Sequence, residues 1–265
     1  PGRELVLGLV GRFWTRDGGV LAVTRSGFGE FREPGYALAN VDSVDITMHG
    51  KGGHGAFPHA TIDPIVQAAQ LVNSLQTIVS RELKPLEPAV VTVGSIHAGT
   101  KHNIISDRAH LQLTVRNTSE ETRKILLDGI KRVAENMGRV AGLPDDKLPE
   151  VIVSNESVPP TVNDAELAQQ LRGAWIAEMG EGRVVYNPSK GMGAEDFPFF
   201  TIDPDIRSVY WQVGGTPQED FDREAAGGEP VPSHHSPLFK IAPEPAVTAG
   251  VESTVVALLE LMGSG

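Results

Sequence analysis

From residue 41 the chain alternates: Val44, Ile46 and Met48 fall on one side, and Asp45, Thr47 and His49 on the other. A period of two predicts a strand over residues 41–49. The period then lengthens. Ile65, Val66, Ala69, Val72, Leu75 and Ile78 form one stripe of a helix predicted from residue 63 to about 80. Asp63 can accept from free N–H groups and Pro64 suits the first helical position, so the pair marks the helix start. Strands follow at residues 89–97 and 109–117, joined by a loop over 98–106. A second helix is predicted from about 120 to 141, capped by Thr118 or Ser119, with Ile125, Leu126, Ile130, Val133 and Met137 inward. A strand over 150–154 closes the set. The order β-α-β-β-α-β is the ferredoxin-like unit, a four-stranded sheet with two helices on one face. It leaves a sheet face or edge uncovered, where a second copy can pair.

The flanks read differently. Residues 4–10 (ELVLGLV) form a buried-strand pattern, and residues 11–38 have no clean period. Pro159-Pro160 punctuates the chain. Beyond it come a helix over 164–179 ended by Gly180, a short strand over 184–186, and a glycine-bearing loop over 191–200 that leads into a short helix. A strand over 206–213, a long polar loop over 216–235 and a closing helix over about 245–262 complete the chain. This tail has few strands. It is expected to complete a sheet begun by residues 4–10 and by residues outside this chain. The expected fold class is α/β with an α+β insertion. Residues 1–40 and 158–265 form the two parts of one α/β domain, and residues 41–157 form the ferredoxin-like unit between them.

Composition narrows the function. The 265 residues are 40% hydrophobic and 22% charged, enough for a sizeable core. Net charge is 23 minus 34, or −11, which argues against nucleic acid as a main partner. No bilayer-length apolar run and no secretory signal are read from the sequence, so no membrane partner is expected. The absence of cysteine excludes disulfides and thiolate metal sites and fits a reducing compartment, the cytoplasm.

The stretch GKGGHGAFPHATIDP, residues 50–64, is a strand-to-helix loop with four glycines and two histidines. Glycine permits positive φ and close backbone approach. A phosphate-cradling loop is one reading, but the Lys-Ser/Thr spacing of a P-loop is missing. A plain flexible turn is a second. A presented catalytic or substrate-binding His54 is the third, and it gains from three clusters downstream. GTKHN, residues 99–103, sits in a loop between strands, with Arg116 at the end of the next strand. Arg can hold a carboxylate through two parallel hydrogen bonds, and Asn can donate to the same group; a surface Arg and a turn Asn are the plain alternative. Glu195-Asp196 within GAEDF suits metal binding, base work or orientation of a histidine, or simply a helix N-terminus. His234-His235 in SHHSPLF offers an imidazole ligand, or two solvated loop histidines.

Together these stretches resemble one family. DSVDITMHGKGGHGAFPHATIDP, LEPAVVTVGSIHAGTKHNIISD, LTVR, GAEDF and HHSPLF are similar to the two-metal aminoacylase/carboxypeptidase superfamily. The nearest branch is that of hippurate hydrolase and the indole-acetyl-amino-acid amidohydrolases. The resemblance covers roughly residue 41 to the C-terminus. It implies a ferredoxin-like lid inserted in an incomplete zinc-peptidase-like catalytic domain. It implies a homodimer through the lid, and hydrolysis of N-acyl amino acids or small peptides with two zinc or manganese ions. It makes His54 the lid histidine that reaches across the dimer to the oxyanion. It gives Asn103 and Arg116 the substrate carboxylate, Gly193 to Asp196 the pocket floor with Glu195 as a catalytic carboxylate, and His235 a metal ligand. The family's His-x-Cys-Gly-His-like segment and Glu-Glu pair are not in this sequence, and Leu7-Gly8-Leu9 is followed by Val10 where a ligand histidine is expected. The chain is therefore expected to hold metal weakly or not at all, either as a fragment of an amidohydrolase or as a homologue without its metal chemistry. The rival readings are a non-catalytic dimerising or binding module and a metal-independent esterase or amidase. No Gly-x-Ser-x-Gly elbow supports the last.

Overall fold

Alternation at residues 41–49 becomes a strand enclosed on one face. Val44, Ile46 and Met48 are buried, while Asp45, Thr47 and His49 are half-buried on the other. The computed structural model describes residues 6–9, 29–31, 35–186, 191–202, 206–232 and 236–263. In chain order these residues begin with strands β1 (Val6–Leu9), β2 (Gly29–Phe31) and β3 (Gly35–Leu38). Then come β4 (Asn40–His49), β5 (Gly53–His54), helix α1 (Pro64–Thr77), β6 (Ala89–Ala98), β7 (Ile104–Ile105), β8 (Arg108–Asn117), helix α2 (Glu120–Val140) and β9 (Glu150–Val153). The last group is β10 (Thr161–Asn163), α3 (Ala165–Met179), β11 (Val184–Tyr186), β12 (Ser208–Val213), α4 (Gln218–Ala225) and α5 (Pro243–Met262). The chain divides into two compact units, residues 39–160 and residues 1–38 with 161–265.

In the unit over residues 39–160, the sheet runs β6-β8-β4-β9, antiparallel throughout. With β4, β6, β8 and β9 as the four strands, this is the ferredoxin-like order that β-α-β-β-α-β predicts. Helices α1 and α2 cover one face. Leu71, Leu75 and Ile78 meet Leu126, Ile130 and the sheet residues Ile46, Leu111 and Val115 in one core. Both helix starts are capped: Asp63 accepts from Ile65 N at 2.8 Å, and Ser119 accepts from Thr122 N at 3.2 Å. The sheet's other face is polar. Asp45 bridges His110 Nε2 at 3.0 Å and accepts from Gln112 Nε2 at 3.2 Å.

Two inward stripes differ from the sequence expectation. On α1 the buried set is Pro64, Gln67, Ala68, Leu71 and Leu75, whereas Ile65 and Val66 face outward. Leu75 and Ile78 face inward as expected, while Gln67, polar but enclosed, takes an inward place and donates from Nε2 to the carbonyl of His49 at 3.0 Å. On α2 Ile125 is exposed, and Gly129 and Ala134 take the inward places.

In the other unit, β1 and β12 pair in parallel, as expected of the strand at residues 4–10. The four-stranded order is β1-β12-β2-β11. Strand β3 pairs with β10. Strands β2, β3 and β10 and helix α4 fall where the sequence reading placed irregular chain, a domain boundary or polar loop. Each has three, four or eight residues, too short for a period to emerge. Helix α3 starts on Asp164, which accepts from Leu167 N at 2.8 Å, and ends at Gly180 with φ 89°, a left-handed value that favours glycine. Trp175 and Trp211 stack at 5.2 Å, and both indole N–H groups donate to Ser253 of α5. Helix α5 is long and apolar enough by length and composition to cross a bilayer, which was not expected from the sequence. Its Glu252 and Glu260 are tied to Arg183 and Gln170, as in a helix packed on protein.

Candidate functional site

The glycine-rich loop extends the β4/β8 ladder beyond its end. Gly50 N donates to Asp107 O at 2.8 Å, and β5 then pairs with β7 so that His54 faces Ile104. The glycines are there for crowding. A Cβ on Gly50 would lie 2.5 Å from the carbonyl oxygen of Ile62, and one on Gly53 would lie 2.7 Å from the Thr61 methyl. Positive φ, the other expected reason, occurs at other glycines.

This packing delivers His54 to the surface. The residue is exposed, and its ring meets Phe57 edge-on at 5.9 Å. Its Nδ1 accepts from Ala56 N at 3.0 Å. A neutral imidazole whose Nδ1 accepts carries its proton on Nε2. The exposed histidine therefore holds one N–H donor in a set orientation.

Asn103 belongs to the same platform, because its carbonyl accepts from Gly55 N at 2.8 Å. Its carboxamide Oδ1 is enclosed without a hydrogen-bond partner among the described residues. Such an acceptor is costly and marks a place for water or ligand. Beside the platform lies a cleft of about 450 Å³, lined by Gly55, Asp63, Ile65, Gly99, Lys101 and His102 among others.

Arg116 is elsewhere. It pairs with Val41 and Val90 at the end of the sheet where the chain enters this unit, whereas Arg108 pairs with His49 at the loop end. The two arginines are eight positions apart on one strand, about 26 Å at the usual rise. Within one copy, His54 and Arg116 cannot grip one small molecule. Sequence proximity of Asn103 and Arg116 hid this, since the intervening residues run straight along β8.

Gly193, Glu195 and Asp196 lie in the other unit. Tyr36 of β3 donates from its hydroxyl to Gly191 O at 2.6 Å and anchors the start of their loop. Sequence reasoning missed Tyr36, which sits in the stretch without a period. Glu195 is half-buried and Asp196 exposed, and Phe197 packs its ring 5.5 Å from Tyr210. His235 lies outside the described residues. Among the described residues no three His, Asp or Glu side chains converge in a way that could hold a metal ion. The described donor set does not fit a two-metal centre, which needs several ligands per ion.

A ferredoxin-like unit with a donor-bearing tip, held in an α/β unit, is the class of structure defined so far. Residues 36–140 match the peptidase dimerisation domain of the M20 family. Over that domain the chain is related to the M20 peptidases. It is 34% identical over 166 residues to thermostable carboxypeptidase 2 of Saccharolobus solfataricus, covering 63% of this chain and 40% of that protein. It is 35% identical over 180 residues to the N-acetyldiaminopimelate deacetylase of Streptococcus sanguinis, covering 68% and 46%. Among solved structures, a protein of methicillin-resistant Staphylococcus aureus provisionally assigned as an aminohydrolase matches with TM-score 0.73 and 26% identity, over 96% of this chain and 59% of that one. The YXEP protein of Bacillus subtilis, a dinuclear metal-binding peptidase of the M20 family, shares the fold with TM-score 0.66 and 23% identity, over 98% and 57%. The chain thus spans under half the length of these two curated relatives.

Proposed function

We propose that this chain serves hydrolysis of an amide bond in small N-acyl amino acids or peptides that carry a free carboxylate, and that it does so as a homodimer. The observation that carries the reading is the His54 side chain, exposed, with Nδ1 occupied by Ala56 N at 3.0 Å and the proton held on Nε2. A preset N–H donor at an exposed tip suits the oxyanion that forms on an attacked carbonyl. Removing such a donor costs roughly 3–4 kcal/mol of transition-state stabilisation. The histidine donates a hydrogen bond and keeps its proton. The relatives named carboxypeptidase and deacetylase support an amide substrate.

Asn103 shares the His54 platform and would contact the same substrate. Arg116, at the opposite end of the sheet, would hold a carboxylate only in a site completed by a second copy. His54 and Asn103 then come from one copy and Arg116 from its partner. The dimerisation-domain match and the ten-residue edge strand β6 support this assembly. Light scattering that shows only monomer at high concentration would count against it. The resemblance implies that metal activates the attacking water. The described residues do not assemble that site, so the steps assigned here are those of His54, Asn103 and Arg116 alone.

Mixing variants in the active enzyme tests the reading. His54→Ala should lower kcat about a hundredfold or more with a smaller change in KM, and Arg116→Ala should mainly raise KM. Mixed in equal amounts and assayed at substrate well below the raised KM, the two variants should restore about a quarter of wild-type activity, because half the random dimers carry one intact site. No rescue would place both residues in one copy's site. Unchanged kcat in a folded His54→Ala protein would remove the histidine from the mechanism.

A second reading is a binding module without catalysis, which the exposed His54 and the enclosed Asn103 Oδ1 would serve equally well. Calorimetry showing N-acyl amino acid binding, with no turnover after zinc or manganese is added, would select it.

A further inference from the structure

The tip that carries His54 differs in charge from the chain as a whole. Net charge is −11, yet residues 46–62 and 88–106, the two stretches that run through the tip, contain no Asp or Glu. They contain Lys51, Lys101 and five histidines. An acidic protein with an acid-free tip draws anions to that tip.

The loop after β6 is held in place on two sides. Gly99 has φ 73°, a left-handed value, and a Cβ there would lie 3.4 Å from the Ile65 side chain at the start of α1. Lys101 O accepts from Ile104 N at 3.2 Å, and Asn103 O accepts from Gly55 N at 2.8 Å. This loop and the helix start both line the cleft of about 450 Å³, a size that suits a small ligand. Ile65, Ala98 and Ile104 give it neutral walls, and Lys101 and His102 bring donors. Asp63 is the one carboxylate among its described lining residues, and it is committed to α1, accepting from Ile65 N at 2.8 Å. Lys124 and Lys131 pair with Asp128 and Glu135, whereas Lys101 has no ion pair among the described residues. Gly55 joins the cleft to the His54 platform, since it lines the one and is bonded to Asn103 in the other.

We infer that this cleft takes a second carboxylate of the substrate, beyond the one assigned to Arg116, and that Lys101 is the residue that selects it. The inference rests on the amide-hydrolysis reading above and narrows its substrates to dicarboxylic ones. The second carboxylate belongs either to the acyl group or to the amino-acid side chain. In both cases the ammonium of Lys101 supplies the charge-assisted hydrogen bond, and His102 supplies a further N–H.

Calorimetry on the full chain with three probes tests this. N-acetylglutamine carries one carboxylate, N-acetylglutamate adds one on the side chain, and N-succinylglutamine adds one on the acyl group. At least one of the last two should bind about fivefold more tightly than N-acetylglutamine, the range of an exposed ion pair. Which of them gains tells which end of the substrate enters the cleft. Lys101→Met should bring the ratio to about one, and Lys101→Arg should keep it. Lys51→Met, a change at the same tip but off the cleft lining, should also keep it. Lys101 and Lys51 are exposed, so circular dichroism should show all three variants folded. Equal binding of the three probes, or no binding, overturns the inference. So does a preference that survives Lys101→Met, or one that Lys51→Met lowers as much. The ratio does not depend on turnover. A chain that shows it without hydrolysis keeps the subsite and loses the proposed activity, and hydrolysis indifferent to Lys101→Met keeps the activity and loses the subsite.

Discussion

Helices α2 and α5 have 21 and 20 residues and dispose of their large apolar side chains in opposite ways. Helix α2 turns Leu126 and Ile130 into a core at 0% exposure and shows solvent a charged face, with Lys124 paired to Asp128. Helix α5 encloses Ala249 and Ala257 and shows solvent Leu259 and Met262. Fully burying a Val, Leu or Met contributes about 1.5–3 kcal/mol. The α5 stripe therefore leaves unrealised a sum on the order of a whole domain's net stability, about 5–15 kcal/mol. The core helix of the unit over residues 39–160 encloses its large apolar side chains, and α5 leaves a stripe of them exposed. Amphipathicity alone does not reveal this. The size of the residues on the buried face does.

The largest expected effect lies in the unit over residues 39–160. The Asp42 carboxylate has 0% exposure and accepts from Arg123 Nε at 2.9 Å and Nη2 at 2.8 Å. That hydrogen-bonded pairing holds the guanidinium's pKa above its ordinary value. Arg123→Ala strands a buried carboxylate and should cost about 3–5 kcal/mol. Leu126→Ala, which opens a cavity in the same core, should cost about 2–5 kcal/mol. All three tryptophans lie outside residues 39–160, so indole fluorescence follows the other unit alone. Urea titration by far-UV circular dichroism should show a weakened transition in both variants, while the fluorescence transition stays in place. Equal shifts in both signals would mean one cooperative body and would undo the comparison.

Much of the unit over residues 39–160 was legible because its elements are long. Ten-residue strands and a 21-residue helix give a period room to appear, and Asp63 and Ser119 cap where the sequence says a helix should start. The phase of α1 was not legible, since nothing local shows that Gln67 reaches the His49 carbonyl. The His54 loop was readable as a presented histidine. The reason for its glycines was not, because contacts with Thr61 and Ile62 depend on how the chain turns back. The distance between His54 and Arg116 needed the strand register. In the unit that carries α5, three-residue strands such as β2 and β10 are held by pairing with distant strands, which no local pattern encodes.

A smaller effect is expected where the unit that carries α5 relies on local chemistry. Asp164 caps α3 and also accepts from Arg207 Nη2 at 2.8 Å. The Arg207 hydrogen bond lowers the Asp164 pKa below its ordinary value, against the opposing effect of burial. A carboxyl whose folded pKa lies below its unfolded one contributes stability above the unfolded value, about pH 4. That contribution is lost as pH falls through the folded value. Asp164→Ala should cost about 1 kcal/mol at neutral pH by the fluorescence transition. Variant and wild type should converge as the solution is acidified below about pH 4. A gap that stays constant down to pH 2 would assign the loss to packing instead of to the charged cap.

The smallest effect bears most directly on the comparison. Leu259 is as apolar as Leu126 but 67% exposed. In the chain by itself, replacing it removes little that is out of water, and a surface substitution of this kind stays within about 0.5 kcal/mol. Its backbone contribution to the helix end, the carbonyl that accepts from Gly263 N, is independent of the side chain. Leu259→Gln should therefore leave the fluorescence midpoint in urea nearly where it was, while Leu126→Ala moves the circular dichroism midpoint strongly. Glutamine keeps high helix propensity, so any sizeable loss would have to come from packing. A fluorescence midpoint lowered by about 2 kcal/mol or more would show that Leu259 is already enclosed when the chain is alone, by self-association or by the chain itself. The two helices would then differ only in what covers them.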